Sequence, residues 1–314
     1  MENNPLIILT GPTSVGKTAL SIQLAKTVDG EIISADSMQV YRYMDIGTAK
    51  ITPEEMQGIP HYLIDAFAPD EEFNVVKFQQ YAKKYIEDIQ SRGKIPILVG
   101  GTGFYIQAVL YDIDFTKNDI DLSYRQKLEQ IAKEKGAEYL HALLKQLDPK
   151  SAEAIHPNNI KRVIRALEYY KLTGEKISDH NAEQRNKNSP YQYCYFVLNK
   201  NRAKLYEGIN LRVDQMIQSG LLEEVKDLAK RGYTKDMVSM QGLGYKELLA
   251  FLEGEGTLED TVELIKKETR HYAKRQITWF KRENEIIWIN KDDFRNDMEI
   301  LSHMLKFLKE KNIV

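Results

Sequence analysis

The first hundred residues alternate between two kinds of hydrophobic order. Unbroken apolar runs at 6–10 and 95–99, and a briefer one at 31–34, read as buried strands. Between them, helical spacing appears at 18–27 and at 73–90, where Val76, Tyr81, Tyr85 and Ile89 lie near one side. Such alternation predicts a parallel sheet with helices on both faces, whose ligands gather at the carboxyl ends of the strands. From 115 to 189 the strands stop. Ser123 is the expected N-cap of a helix through Lys135, closed by Gly136. A second helix over 137–147 is broken by "LDP", and Asn158 or Asn159 caps a third that runs to Leu172 and stops at Gly174. The polar stretch 178–189 reads as a loop. A strand returns at 191–198, then helices over 202–219, 221–231, 245–253 and 258–282, and a last strand at 285–290. The expected organisation is a core built from 1–114 and 190–314 with a helical insertion domain at 115–189.

Composition adds bounds. An apolar fraction of 42% and a charged fraction of 29% are those of an ordinary globular protein. No run approaches the ~18 apolar residues of a membrane span. The short lead into the first strand leaves no room for a signal peptide. One cysteine, Cys194, excludes an internal disulfide, and no Cys/His cluster suggests zinc, so the expected setting is a reducing cytoplasm. A net charge of −2 means that any nucleic-acid partner must be met by local patches.

Candidate chemistry begins directly after the first strand, at "GPTSVGKT". Gly11, Pro12, Thr13, Ser14, Val15, Gly16, Lys17 and Thr18 fit G-x-x-x-x-G-K-[ST] between a strand and a helix. The glycines let consecutive N–H groups point into one hollow, which the helix's positive end completes. Lys17 reaches the outer phosphates and Thr18 offers a hydroxyl to Mg²⁺. The expected core is therefore a P-loop NTPase-like parallel sheet flanked by helices. Asp36 follows the 31–34 strand and can hold a metal or take a proton; a turn aspartate is the plainer reading. Ser37 and Gln39 follow it, and a glutamine suits the edge of a base.

The 95–99 strand ends in Gly100, Gly101, Thr102 and Gly103, where an NTPase usually carries a metal-holding aspartate. Asp65, at the end of "YLID", is a weak substitute. The cradle then holds a polyphosphate whose phosphorus is not attacked. Two basic patches complete the picture. Lys161, Arg162 and Arg165 lie on a helix whose Ile160, Val163, Ile164 and Leu167 face inward, and Lys266, Arg270 and Lys274 recur every four residues among Tyr272, Trp279 and Phe280. Positive charge with aromatics suits a phosphate backbone and unstacked bases, and a solvated helix face is the alternative. "QGLG" at 241–244 is either a close approach to a backbone or a tight turn.

With "GPTSVGKT", "SADSMQVYRYMDIGTAK", "PHYLID", "LVGGTGFY", "IHPNNIKRVIRALE", "QGLGYKE" and "YAKRQITWF" in order, the chain resembles the bacterial tRNA dimethylallyltransferases nearly end to end. The resemblance implies transfer of a dimethylallyl group from dimethylallyl diphosphate to N6 of adenine 37, beside the anticodon, in tRNAs reading codons that begin with U. Pyrophosphate is released with Mg²⁺ as cofactor. It implies Asp36 as general base, Thr102 on the bridging oxygen, and Lys17, Thr18 and Arg212 on the growing negative charge. It also places Asp36, Ser37, Met38, Gln39, Thr102, Arg125, Lys161, Arg162, Val163, Ile164 and Arg165 against the tRNA. Gln241, Gly242, Leu243, Gly244, Tyr245 and Lys246 join them there. A monomer in the cytoplasm is expected. The rivals are an adenylate isopentenyltransferase using free AMP, ADP or ATP, a P-loop small-molecule kinase, and a non-catalytic RNA-binding protein.

Overall fold

In the computed structural model, residues 4–115, 122–185 and 187–314 are described. Residues 1–3, ahead of the first strand, and 116–121 of the expected insertion lie outside that set. The first apolar run is strand β1 (Pro5–Thr10), followed by α1 (Lys17–Val28), β2 (Gly30–Ser34), the single-turn α2 (Pro53–Met56) and a two-residue strand β3 (His61–Tyr62). Then come α3 (Val75–Ser91), β4 (Ile95–Gly100) and α4 (Gly103–Leu110). The helical stretch holds α5 (Leu122–Lys135), α6 (Ala137–Leu147), α7 (Pro149–Ala154), α8 (Ile160–Thr173) and α9 (Ile177–Arg185). The chain ends with β5 (Gln192–Asn199), α10 (Arg202–Gln218), α11 (Leu221–Lys230), α12 (Tyr245–Leu252), α13 (Leu258–Phe280), β6 (Ile286–Asn290) and α14 (Asp297–Glu310).

All six strands are parallel, in the order β3-β2-β4-β1-β5-β6. Central β1 puts Leu9 opposite Val99 on one side and Phe196 on the other. Residues Leu6 to Thr10 are fully buried, as an unbroken apolar run requires when helices cover both faces. This α/β sheet belongs to one compact unit, residues 1–109 with 191–314; residues 110–190 form a second. The second unit packs Leu128, Leu140, Leu144, Val163, Ile164 and Leu167 around its own core.

Several expectations change. The 178–189 stretch is not a loop: α9 occupies Ile177–Arg185. Its polarity hid it, because it is fixed by hydrogen bonds more than by an apolar stripe. The buried Asp148 carboxylate accepts from the Ser178 N–H (3.0 Å) and hydroxyl (2.7 Å). The same side chain caps α7, which the sequence reading passed over as a break. Helix α5 starts at Leu122, so Ser123 lies in its first turn and not at the cap. On α3 the buried stripe is Phe78, Ala82, Ile86 and Ile89, whereas Tyr81 is exposed. The 61–65 segment gives only the short β3, and Asp65 pairs with Lys50.

Candidate active site

The loop after β1 turns because three residues sit at positive φ: Gly11 (145°), Ser14 (61°) and Gly16 (91°). A methyl at Gly11 would stand 2.5 Å from the Leu198 carbonyl oxygen of β5, so this glycine is required twice over. Lys17 opens α1 and folds back, its ammonium donating to the carbonyls of Gly11 and Pro12 at 2.9 Å each. Although the residue keeps some exposed area, atoms crowd the ammonium, and burial lowers it to about 8. The Asp36 charge works against that fall and Arg212 with it. Arg212, on α10, is likewise lowered by burial and raised by Asp36. The two cations and the carboxylate therefore share one neighbourhood. Thr18 is exposed in the first turn of α1, and Lys200, just past β5, donates to the Ser14 carbonyl at 3.0 Å.

Asp36 stands beyond the end of β2. Its Oδ1 accepts from the backbone N–H groups of Met38 (2.8 Å) and Gln39 (3.3 Å). The turn-aspartate reading is thus correct as far as one oxygen goes, and that turn is what fixes the direction of the other. The Gln39 amide donates to the carbonyls of Thr48 and Ala49, so it braces the loop.

At the end of β4 the glycines answer to packing. A side chain at Gly100 would strike the Ala35 backbone, one at Gly101 the Gln276 amide, and one at Gly103 the Trp279 ring. No carboxylate could replace Gly100 without driving β4 from β2. Thr102 has a buried hydroxyl within reach of the Tyr272 hydroxyl, and the Ser14 hydroxyl and Trp279 Nε1 are buried with no hydrogen-bond partner. Buried polar atoms left unpaired are uncommon and mark places where a ligand completes the set. Burial raises the hydroxyls of Tyr105 and Tyr272, and the Asp36 charge adds to both shifts.

Gln276 is the residue that sequence reasoning missed as an individual. From the inner face of α13 its Oε1 accepts from Thr13 N–H (2.9 Å) while its amide donates to the Gly101 carbonyl (3.0 Å). It bars the phosphate loop to the glycine turn. Helical spacing from Tyr272 could have put it on the inner face.

Other expected contacts divide by burial. Gln241 and Lys246 are exposed and Leu243 is half-buried, whereas Gly242, Gly244 and Tyr245 are buried. Tyr245 keeps 1% of its surface and gives its hydroxyl to Glu224, so its side chain is an internal brace in the free protein. In the 110–190 unit Lys161 and Arg162 are exposed. Val163 and Ile164 keep 0% and 4% of their surface, and their side chains pack in the unit's own core and support α8. Arg125 grips Glu168 through two bonds of 2.7 Å, and burial lowers the half-buried Arg165. In the α13 patch, Lys266 is paired with Asp214 and Glu263, and Arg270 donates to Asn210. Phe280 is core. Lys267, Lys274, Arg275, Lys281 and Arg282 remain exposed.

A family model described as IPP transferase matches residues 39–283. A curated tRNA dimethylallyltransferase of Lachnoclostridium phytofermentans is 66% identical over 310 residues, covering 99% of both chains. One of Acetivibrio thermocellus is 52% identical over 308 residues, covering 98% of both. Among solved structures, the full-length tRNA isopentenylpyrophosphate transferase of Bacillus halodurans superposes with a TM-score of 0.75 at 46% identity, covering 99% of this chain and 98% of that one. A eukaryotic dimethylallyltransferase captured acting on tRNA gives 0.83 at 32% identity, covering 98% of this chain and 80% of that one.

Proposed function

Because the chain belongs to the IPP transferase family, we propose that it is a tRNA dimethylallyltransferase, which moves the dimethylallyl group of dimethylallyl diphosphate to N6 of the adenine beside the anticodon. The N6 nitrogen attacks the allylic carbon, the bond from that carbon to the bridging oxygen breaks, and pyrophosphate departs. Asp36 takes the proton that N6 sheds. The backbone N–H groups on its Oδ1 aim Oδ2 at the amine. Lys17 exchanges its two carbonyl partners for the diphosphate, and Arg212 joins it there. The buried Thr102 hydroxyl donates to the bridging oxygen as charge grows on it; a well-placed donor of this kind contributes about 3–4 kcal/mol.

No group of three or more His, Cys, Asp or Glu that could cage a metal occurs among the described residues. Such a site suits Mg²⁺, which commonly takes one or two protein oxygens and fills its shell with substrate phosphates and water. Thr18 would hold it, and the ion when bound supplies neutralising charge to the leaving group.

The adenine must leave its stack to reach the site. The exposed Lys161 and Arg162, with Gln241 and Lys246, are the residues proposed to meet the RNA. No helix of the described residues is long and apolar enough to cross a membrane; a cytoplasmic monomer completes the proposal.

The observation that carries this reading is the meeting of Asp36, Lys17 and Arg212 at one strand edge where β4 has no room for a metal-holding carboxylate. Labelled dimethylallyl diphosphate, offered with tRNA, with AMP or with neither while ATP is present, tests it. Label entering tRNA is expected. Label entering AMP would make the chain an adenylate isopentenyltransferase, and phosphate released from ATP a kinase.

A further inference from the structure

The expected RNA contacts include 36–39 and 241–246, yet the first stretch is half-buried and Gly242, Gly244 and Tyr245 of the second are buried. What joins them is a residue that neither contains. Glu224, half-buried on α11, presents both carboxylate oxygens to donors. Its Oε2 accepts from the backbone N–H groups of Asp45 (2.9 Å) and Ile46 (2.7 Å). Its Oε1 accepts from Gly47 N–H (3.1 Å) and from the Tyr245 hydroxyl (2.6 Å). An ionised carboxylate offers about four acceptor positions, and here four donors meet it. The fit continues in the packing. A methyl at Gly47 would lie 2.5 Å from the Tyr245 ring, so the chain at 47 must run bare beneath it. A methyl at Gly242 would lie 2.6 Å from the Met38 side-chain end, so the two segments touch a second time, two residues from Asp36.

We propose that Glu224 is a positioning residue for the RNA side of the reaction: it locks the 45–47 turn to Tyr245, and through Gly242 and Met38 holds the turn that aims Asp36. This rests on the tRNA dimethylallyltransferase reading. An amide in place of the carboxylate supplies one oxygen where two are needed and turns an N–H toward donors. The phosphate loop makes no bond to Glu224, so the damage falls on one substrate.

The test is steady-state kinetics of Glu224→Gln with tRNA and dimethylallyl diphosphate varied in turn. The expected result is a loss of at least tenfold in kcat/KM for tRNA with the KM for dimethylallyl diphosphate within twofold of wild type. Glu224→Asp, which keeps the charge on a shorter arm, regains part of the loss. Hydrogen exchange at the amides of 45–47 speeds up in Glu224→Gln while that of the phosphate loop does not. If Glu224→Gln fails to fold, Tyr245→Phe removes one donor only and shows the same one-sided change, at threefold or more. Wild-type kinetics in either variant, or a KM for dimethylallyl diphosphate that rises well beyond twofold, would overturn the proposal. A wild-type chain that puts no label into tRNA would instead overturn the reading beneath it.

Discussion

At the scale of single residues, the free protein keeps its cations occupied with its own carbonyls or crowded out of water, ready for exchange against a diphosphate. Lys17 shows what this does to pH dependence. Burial brings its ammonium down to about 8, so it is charged below that pH and neutral above it. A neutral lysine cannot grip the diphosphate, whereas a bound diphosphate would restore the proton. The profile of kcat/KM for dimethylallyl diphosphate should therefore fall about tenfold per unit above pH 8 while kcat changes less. A profile flat to about pH 9.5 would show that burial does not lower the Lys17 ammonium in this way. Asp36 and Thr102 illustrate what residue type alone leaves open. A carboxylate after a strand reads as turn or base; the bonds from Met38 and Gln39 show the turn, and the base is the role proposed for the other oxygen.

At the scale of elements, the apolar runs and helical stripes gave away most of the sheet and the long helices, because burial on both faces and one-sided packing each leave a period in the chain. Two elements that escaped lack such a period: helix α9 is held by the Asp148 carboxylate, and β3 has two residues. Helix α14 does carry one, in its buried Ile300, Leu301, Met304 and Leu308. The site followed the same rule. The phosphate loop is local and legible; Gln276 and Glu224 act across 263 and about 180 positions of sequence, where no local pattern reaches. One long-range pairing joins elements at the opposite end of the sheet. Glu31, opening β2 with 1% of its surface exposed, takes two bonds from Arg92 beyond α3 (2.6 and 2.8 Å) and one from Tyr62 on β3 (2.7 Å). The Arg92 hydrogen bonds hold its carboxyl down at about 2, from an ordinary 4.5. The stability this contributes is present above pH 4.5 and lost as the pH falls toward 2. Glu31→Gln should cost about 2–3 kcal/mol at pH 7 by denaturant unfolding, with the gap to wild type narrowing by pH 3. A gap that stays constant would show that Arg92 does not set the carboxyl's titration.

At the scale of the whole molecule, a chain of net charge −2 is proposed to recognise a polyanion, and it keeps its usable cations in patches. In the 110–190 unit Lys161 and Arg162 stand free of the core on α8, while Arg125 is paired to Glu168. In the larger unit the exposed cations of α13 remain after Lys266 and Arg270 are bonded internally. Charge that is paired inside the fold shapes the protein; charge that is not can release counterions from RNA. The central claim joins this recognition to the chemistry: one carboxylate takes a proton from an extruded base while the first loop of the sheet holds the departing pyrophosphate. The most direct test is Asp36→Ala, measured for single-turnover transfer of the labelled dimethylallyl group and for tRNA affinity in the same preparation. Transfer reduced by about 10²–10⁴-fold with tRNA Kd within about threefold of wild type is the predicted result. Transfer near the wild-type rate, or a loss accounted for by weakened tRNA binding, would contradict it.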